Sequence, residues 1–374
     1  MTHIPQRVLL CAGLLLGCSV EHLVGRLLPP GPEGTPGFRA VDSPAGLYPD
    51  AAVLGRLDGD EHPDLVVANA FLDTVTVLRG GGDGTFTSVA TLPAGSSRMP
   101  FAIALGDVDG DGVLDLLIAN QQGSILRGRG DGTFSPWVPL PGGAGALAVR
   151  DLNGDGRLDV VTTNRALDAL SVLVGDGTGA FRSQDYGTAR GPVAVVAEDL
   201  NGDLRPDLVV AHFDGESVSV WLADAQGSGQ YRPRTDHPLP GRPRALGVGD
   251  LNSDGALDLV VARWDDNRVT VLLGDGSGRF RPGVEAESGT TPHALAVGEL
   301  NGDGHLDLAV ANLNSDSVTV LTGQGDGGFA ARRDLAAGRT PTSVAIVDVN
   351  GDGRNDVVVT SWNDHRVRTL LSLP

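Results

Sequence analysis

The stretch Glu299-Leu300-Asn301-Gly302-Asp303-Gly304-His305-Leu306-Asp307 runs directly into Leu308-Ala309-Val310-Ala311, and this junction decides the fold. An acidic loop gives way to a continuous apolar run of the kind shown by a strand buried on both faces. Upstream lie Pro292 and the short apolar run Ala294-Leu295-Ala296-Val297. Downstream, the polar turn from Asn312 to Asp316 leads into Ser317-Val318-Thr319-Val320-Leu321, rich in β-branched residues and alternating with period two. The glycine-rich segment 323–328 suits a tight turn that needs positive φ, and Phe329 opens a more polar strand to about Asp334. The unit from Pro292 to Gly338 therefore predicts four strands and no helix.

The acidic loop recurs seven times, ending at Asp64, Asp115, Asp159, Asp207, Asp258, Asp307 and Asp356, at spacings of 44 to 51 residues. A period near fifty means one structural unit repeated. A four-stranded antiparallel unit cannot bury both faces alone, whereas units stacked radially can, as the blades of a propeller. A β-solenoid would use much shorter repeats. The seventh repeat stops after Val367-Arg368-Thr369-Leu370-Leu371 without a fourth strand. The segment from Gly37 to Gly46 matches the fourth-strand pattern seen from Gly84 to Gly95. The expectation is an all-β, seven-bladed β-propeller of four-stranded antiparallel blades, whose last blade takes its outer strand from the N-terminal segment and leaves no open edge at the seam.

Composition bounds the surroundings. The net charge of −19 argues against nucleic acid and against an anionic membrane surface as partners. Only two cysteines occur, Cys11 and Cys18, within a stretch holding Arg7, an apolar run from Val8 to Leu16, and then Gly17-Cys18. Residues 1–18 resemble a bacterial lipoprotein signal in which Cys18 is lipidated; the blander reading is an ordinary signal peptide with an incidental cysteine. Residues 19–36, rich in Pro and Gly toward their end, read as a tether, and 37–374 as the propeller. No later segment approaches the roughly 20 apolar residues of a spanning helix. The expected protein is exported, monomeric, and held in the cell envelope by its N-terminal lipid alone.

The recurring loop resembles the calcium-binding loop of the FG-GAP/VCBS-type repeat family, related to the propeller of integrin α chains, over about residues 37 to 374. Calcium takes six to eight oxygens, and carboxylates packed this closely repel unless a cation lies between them. In that family, loop positions one, three, five and nine offer side-chain oxygens and position seven a backbone carbonyl. The resemblance implies Asp107, Asp109, Asp111, Val113 and Asp115 in blade two, and Asp151, Asn153, Asp155, Arg157 and Asp159 in blade three. It implies Asp199, Asn201, Asp203, Arg205 and Asp207 in blade four, and Asp250, Asn252, Asp254, Ala256 and Asp258 in blade five. Blade six offers Glu299, Asn301, Asp303, His305 and Asp307, and blade seven Asp348, Asn350, Asp352, Arg354 and Asp356. Blade four departs by carrying Leu204 where the others have glycine at position six, and is the weaker site. Blade one has Arg56 at position one, a guanidinium in a position to neutralise Asp58, Asp60 and Asp64 in place of a metal. About five or six calcium ions are expected, with blade one empty. The bland alternative is that Asp, Asn and Gly merely make good turns.

The turns between second and third strands lie on the face opposite these loops and hold Phe71, Arg165, His212, Phe213, Trp264, Asp265, Asn314, Trp362 and His365. Phe71, Phe213, Trp264 and Trp362 are candidate ligand contacts, able to stack on a sugar or grip a peptide. The alternative is that each packs on the neighbouring blade. Arg129-Gly130-Asp131 falls in a third-to-fourth-strand glycine turn, where it reads as an accident of the repeat. The eight histidines show no metal-ligand spacing, and no nucleophile elbow or phosphate loop occurs. The reading is a protein- or glycan-binding module with no catalytic residue, not an enzyme. A calcium-dependent polysaccharide lyase or hydrolase, or a structural envelope scaffold, stands as the alternative.

Overall fold

The computed structural model describes residues 26–27, 36–95, 99–142, 145–224 and 229–373. The signal segment and Cys18 lie outside the described residues. Of seven antiparallel sheets, six are formed by four strands paired in sequence order, and the seventh pairs the last three strands of the chain with Phe38–Pro44. Blade six, the unit read first from sequence, consists of Pro292–Gly298, Asp307–Asn312, Ser317–Gly323 and Phe329–Ala336. The apolar run of its second strand is buried throughout, as expected of a strand covered on both faces.

The seam closes as the sequence implies. Phe38–Pro44 pairs with Arg366–Ser372 over seven residues, from Phe38 opposite Ser372 to Pro44 opposite Arg366. Asp42 accepts hydrogen bonds from Arg366 (2.8 Å) and from two nitrogens of Arg368 (both 2.7 Å) across this pairing. Burial would raise its pKa, but these guanidiniums hold the carboxyl below the usual range. Arg26 and Leu27, within the stretch read as a tether, add a short antiparallel pairing outside Phe38–Pro44, opposite Ala40 and Arg39.

The core lies between blades. One cluster interleaves Val53, Val66 and Val77 of blade one with Ile103, Leu116 and Ile118 of blade two. Another joins Leu54, Leu65 and Leu78 of blade one with Val358, Val367 and Leu371 of blade seven. Adjacent sheets thus bury each other's faces, which is why no single repeat is stable alone. Blade two is the least regular, with an outer strand of only Val138–Pro139. Pro136, Pro139 and Pro141 remove the N–H donors a longer ladder would need.

Candidate functional site

At one end of the ring sit the acidic loops. In all seven blades the last aspartate of the loop is buried and has both oxygens engaged by backbone N–H groups at 2.7–3.2 Å. For Asp258 these donors are Leu251, at the loop's start, and Gly274, at the end of the third strand. The carboxylate therefore clamps the first hairpin to the third strand, a role that needs no ion and explains its presence in blade one as well. Burial, with the loop's other carboxylates adding repulsion, pushes Asp159, Asp207, Asp307 and Asp356 up to about 6.

The first residue of the loop curls the chain around itself. Asp107 accepts from the N–H groups of Gly110, Asp111 and Gly112, and Asp151 from those of Gly154, Asp155 and Gly156. The position-five oxygens of Asp111, Asp155, Asp203, Asp254, Asp303 and Asp352 each accept the N–H of position seven, from Val113, Arg157, Arg205, Ala256, His305 and Arg354. Gly156, Gly255, Gly304 and Gly353 hold φ near +82° to +87° at position six, and Leu204 is forced to +66° there while remaining almost wholly exposed.

These donors are all oxygen, the chemistry that hard cations such as calcium prefer. In blade two the Asp107, Asp109 and Asp115 oxygens converge within 4.8 Å, and the buried Oδ1 of Asp109 has no hydrogen-bond partner. The residues present fit a cation on that count. Several loops nevertheless carry a counter-ion: Arg205 contacts Asp203 within the blade-four loop at 2.8 Å and Arg157 reaches Asp155 within the blade-three loop at 3.9 Å, and two blades supply one from the third strand. Arg127, from the end of the third strand, contacts Asp109 at 2.9 Å and Asp115 at 3.0 Å. Its equivalent in blade one, Arg79, contacts Asp58 at 2.6 Å. The guanidinium that neutralises blade one is thus Arg79, and Arg56 is exposed. The same position in blades three to seven holds Val174, Leu222, Leu273, Thr322 and Leu371, none of them charged.

The opposite face gathers the aromatic residues. Phe71 of blade one meets Trp362 of blade seven edge-on, with ring centroids 5.4 Å apart; Tyr48 and His365 complete the cluster. Phe213 of blade four meets Trp264 of blade five at 6.0 Å, and the guanidiniums of Arg165 and Arg242 lie 4.9 and 4.7 Å from the Phe213 centroid. Each candidate aromatic does pack on a neighbouring blade, yet Phe71 stays 60% exposed. His212 does not belong to this surface. It is fully buried at the end of its strand, where Nε2 bonds Ser219, which in turn donates to Asp236. Arg129-Gly130-Asp131 forms an ordinary turn: Asp131 accepts from Thr133 as Asp83 does from Thr85 and Asp176 from Thr178.

The structure adds a site that the sequence reading missed. In five blades the pairing of first and second strands skips one residue near its start, and the skipped residues are Asp50, Val193, Arg244, His293 and Thr342. Such bulges re-aim a side chain. With Phe101 and Gly145, their equivalents in blades two and three, these residues line one cavity of about 480 Å³. A cavity touched by all seven innermost strands lies on the ring's axis, at the mouth of its channel. The ring is divided: Arg244, His293, Thr342 and Asp50 form a polar arc through blades five, six, seven and one, and Phe101, Gly145 and Val193 an apolar arc. Arg244 donates to His293 Nε2 at 2.8 Å, and His293 Nδ1 donates to the Thr342 carbonyl at 2.9 Å. Burial and then the Arg244 charge lower the His293 pKa well below its ordinary value, so the ring stays neutral. Burial pushes the Asp50 carboxyl up to about 7 despite the attraction of Arg244. Phe213, Trp264 and Arg165 form the cavity's rim.

The profile of the FG-GAP-like repeat family matches six overlapping segments, residues 56–118, 114–162, 151–210, 199–261, 250–310 and 299–359. The chain belongs to the FG-GAP-like repeat family. Each matched segment ends in the second strand of the following blade, so the family unit spans the joint between blades that the core clusters fill. No curated protein matches this FG-GAP-like chain.

Solved structures match it as a whole ring. The periplasmic gluconolactonase PpgL of Pseudomonas aeruginosa is 16% identical, covering 94% of this chain and 99% of its own, with a TM-score of 0.60. BBS1N, solved in complex with ARL6DN, is 15% identical, covering 86% and 91%, with a TM-score of 0.62. A Bacteroides uniformis protein provisionally assigned as a 6-phosphogluconolactonase is 13% identical, covering 87% and 95%, at 0.62. At these identities the likeness shows the fold. It also corrects the expectation of a non-enzyme: a ring of this shape carries a gluconolactonase in PpgL, so the lack of a nucleophile elbow or phosphate loop does not exclude catalysis. Propellers place reactive groups from several blades on the axis, where no contiguous motif can record them.

Proposed function

We propose that this FG-GAP-like propeller is an exported, lipid-anchored binding module, stiffened by calcium at its acidic loops, that takes a protein or glycan ligand on the opposite face. The observation that carries the reading is the pairing on that face of two aromatic clusters, Phe71–Trp362 and Phe213–Trp264, with a seven-blade cavity at the axis. Aromatic rings with exposed faces beside a partly apolar cavity are the usual make-up of a ligand site. That BBS1N is found in a complex, and that PpgL acts on a gluconolactone by its name, supports rings of this kind engaging both protein and sugar.

Calcium would be held by the loop carboxylates and amides of blades three to seven, where it supplies positive charge between groups that otherwise repel. Lipidation would fall on Cys18, and Cys18→Ala should abolish incorporation of labelled fatty acid. The binding reading is tested with a glycan and peptide panel against the wild type and the Phe71→Ala and Trp362→Ala variants. Loss of a ligand in the variants at unchanged thermal midpoint supports it. Retained binding in both variants sinks it.

A second reading, a hydrolase of carbohydrate derivatives, is favoured by Asp50, whose carboxyl is held near neutrality in the channel mouth. Near pH 7 such a group exchanges protons readily, as a general base does. Turnover of aldonolactones or release of reducing ends, lost in Asp50→Asn, supports this reading. A panel with no turnover removes it.

A further inference from the structure

The geometry points to the channel mouth as a binding site for a carboxylate-bearing sugar, a cyclic uronate or an open-chain aldonate, whose carboxylate pairs with Arg244 and whose carbon skeleton lies against the apolar arc. The inference rests on the proposal that this face binds ligand and names what the axial cavity takes.

Arg244 carries the argument. Its guanidinium offers five N–H donors, and among the described residues its one hydrogen bond goes to His293 Nε2. His293 is itself fixed by its bond to the Thr342 carbonyl, so it presents a lone pair to Arg244 and orients the fork. No carboxylate lies within ion-pair distance of Arg244 among the described residues, whereas its neighbour at the rim, Arg165, is bound by two nitrogens to Asp214. A half-buried cation that lines the cavity with most of its donors unused suits a planar, bidentate anion, and carboxylate matches that fork.

The remaining walls define the rest of the ligand. Asp50, on the far end of the polar arc, makes no ion pair and is half-protonated near neutrality, so it serves a hydroxyl as donor or acceptor. Phe101 and Val193 supply an apolar wall, and Trp264 the rim above it. A hydroxylated carbon skeleton with one apolar C–H face and one carboxylate answers all three features. A cavity of about 480 Å³ is large enough for one or two sugar rings. The site is assembled by bulges, which the fold does not require for closure, since blades two and three lack them in the described pairings.

Calorimetry with galacturonate, digalacturonate, gluconate, glucose and inorganic sulfate on the purified protein tests the inference. The expected result is binding of at least one sugar acid at least tenfold tighter than of glucose or sulfate. A digalacturonate preferred over the monomer would identify the end of an acidic polysaccharide as the source; equal binding would identify the free acid. In Arg244→Gln the affinity should fall at least tenfold with the thermal midpoint preserved. A second variant guards against a folding defect. Ionised Asp50 repels the ligand carboxylate, so wild-type affinity should weaken as pH rises through about 7, while Asp50→Asn should remove that slope. His293, its pKa lowered by burial, stays neutral across this range, and the other charged groups lining the cavity are the guanidiniums of Arg244 and Arg165. Sulfate or glucose binding as tightly as the sugar acids overturns the inference, as does an affinity unchanged in Arg244→Gln. Absence of sugar-acid binding by the wild-type protein, with the glycan or peptide signal at Phe71 and Trp362 intact, overturns this inference but leaves the wider proposal standing.

Discussion

The guanidinium of Arg127 lies 2.9 Å from Asp109 and 3.0 Å from Asp115, so blade two neutralises its acidic loop with a side chain from its own third strand. In blades four, five and seven the corresponding residue is leucine, and the carboxylates there have no such partner from that strand. One repeat thus exists in two versions, one whose third strand supplies a counter-ion and one whose third strand does not, although in blade four Arg205 of the loop itself contacts Asp203 at 2.8 Å.

Replacing Arg127 by Leu converts the first version into the second. Without calcium the variant should be destabilised by about 2 kcal/mol, below the full value for breaking a buried pair because Arg127 is itself partly solvent-exposed. Millimolar calcium should narrow or reverse the deficit, since a ligand that binds only the folded state stabilises it by mass action. Thermal melts with chelator and with calcium measure both quantities. A deficit that calcium leaves unchanged would mean that blade two has no cation site to expose.

Leu204 stands at φ +66°, where five other loops place glycine at +82° or more, and its side chain projects into solvent. A left-handed backbone costs a branched residue roughly 1–2 kcal/mol, and the exposed side chain recovers nothing by packing. Leu204→Gly should therefore stabilise the protein by about 1 kcal/mol, part of the gain being lost to the greater freedom of glycine in the unfolded chain. A denaturant midpoint at or below wild type would contradict this.

Burial, with a smaller contribution from Arg234, lowers the His212 pKa from 6.5 to about 4, against the opposing pull of Asp236. The unfolded chain then binds a proton between pH 6.5 and 4 that the folded state refuses. Stability should be flat above pH 6.5 and fall as pH drops toward 4, by up to about 3 kcal/mol. His212→Asn is a gentle change. Asn69 and Asn312 fill the same strand position and donate to Thr76 and Thr319 as His212 does to Ser219. The variant should match wild type near pH 7.5 and lose less stability at pH 4.5. Parallel curves for the two proteins would show that another group governs the acid limb.

What the sequence discloses and what it hides divide along a physical line. The strands, the blade count and the pairing of Phe38–Pro44 with Arg366–Ser372 were legible because they follow from periodicity and from a missing element that another segment replaces. The clamp made by Asp64, Asp159 or Asp356 was visible as a repeated residue but not as a clamp, since its second donor comes from a strand sixteen residues onward. Arg79 and Arg127 were missed, and Arg56 taken in place of Arg79, because contact across a blade is not contact along the chain. The channel mouth was missed because a bulge is a property of pairing register. One signal was present: after the repeated proline, residues 50, 101, 193, 244, 293 and 342 read Asp, Phe, Val, Arg, His and Thr, while alanine or serine follows each. A position that varies inside a unit otherwise held constant is where such a ring places its chemistry.

The seam yields the last prediction. Among the described residues Asp42 is the one carboxylate facing both Arg366 and Arg368 across the closing pair of strands, and Asp364 also approaches Arg366, at 3.5 Å. Removing it leaves two partly buried guanidiniums with fewer acceptors and weakens the one pairing that joins the two ends of the chain. Asp42→Ala should cost about 2–3 kcal/mol, less than breaking a wholly buried pair. Its distinguishing mark should be local. Opening of the ring at this seam would expose Arg366–Ser372 before any other third strand, so amide exchange should accelerate there and in Phe38–Pro44 while the third strand of blade five, Arg268–Gly274, stays protected. Uniform acceleration across all seven blades would instead mean that the propeller unfolds as one unit and that the seam is no weaker than any other joint.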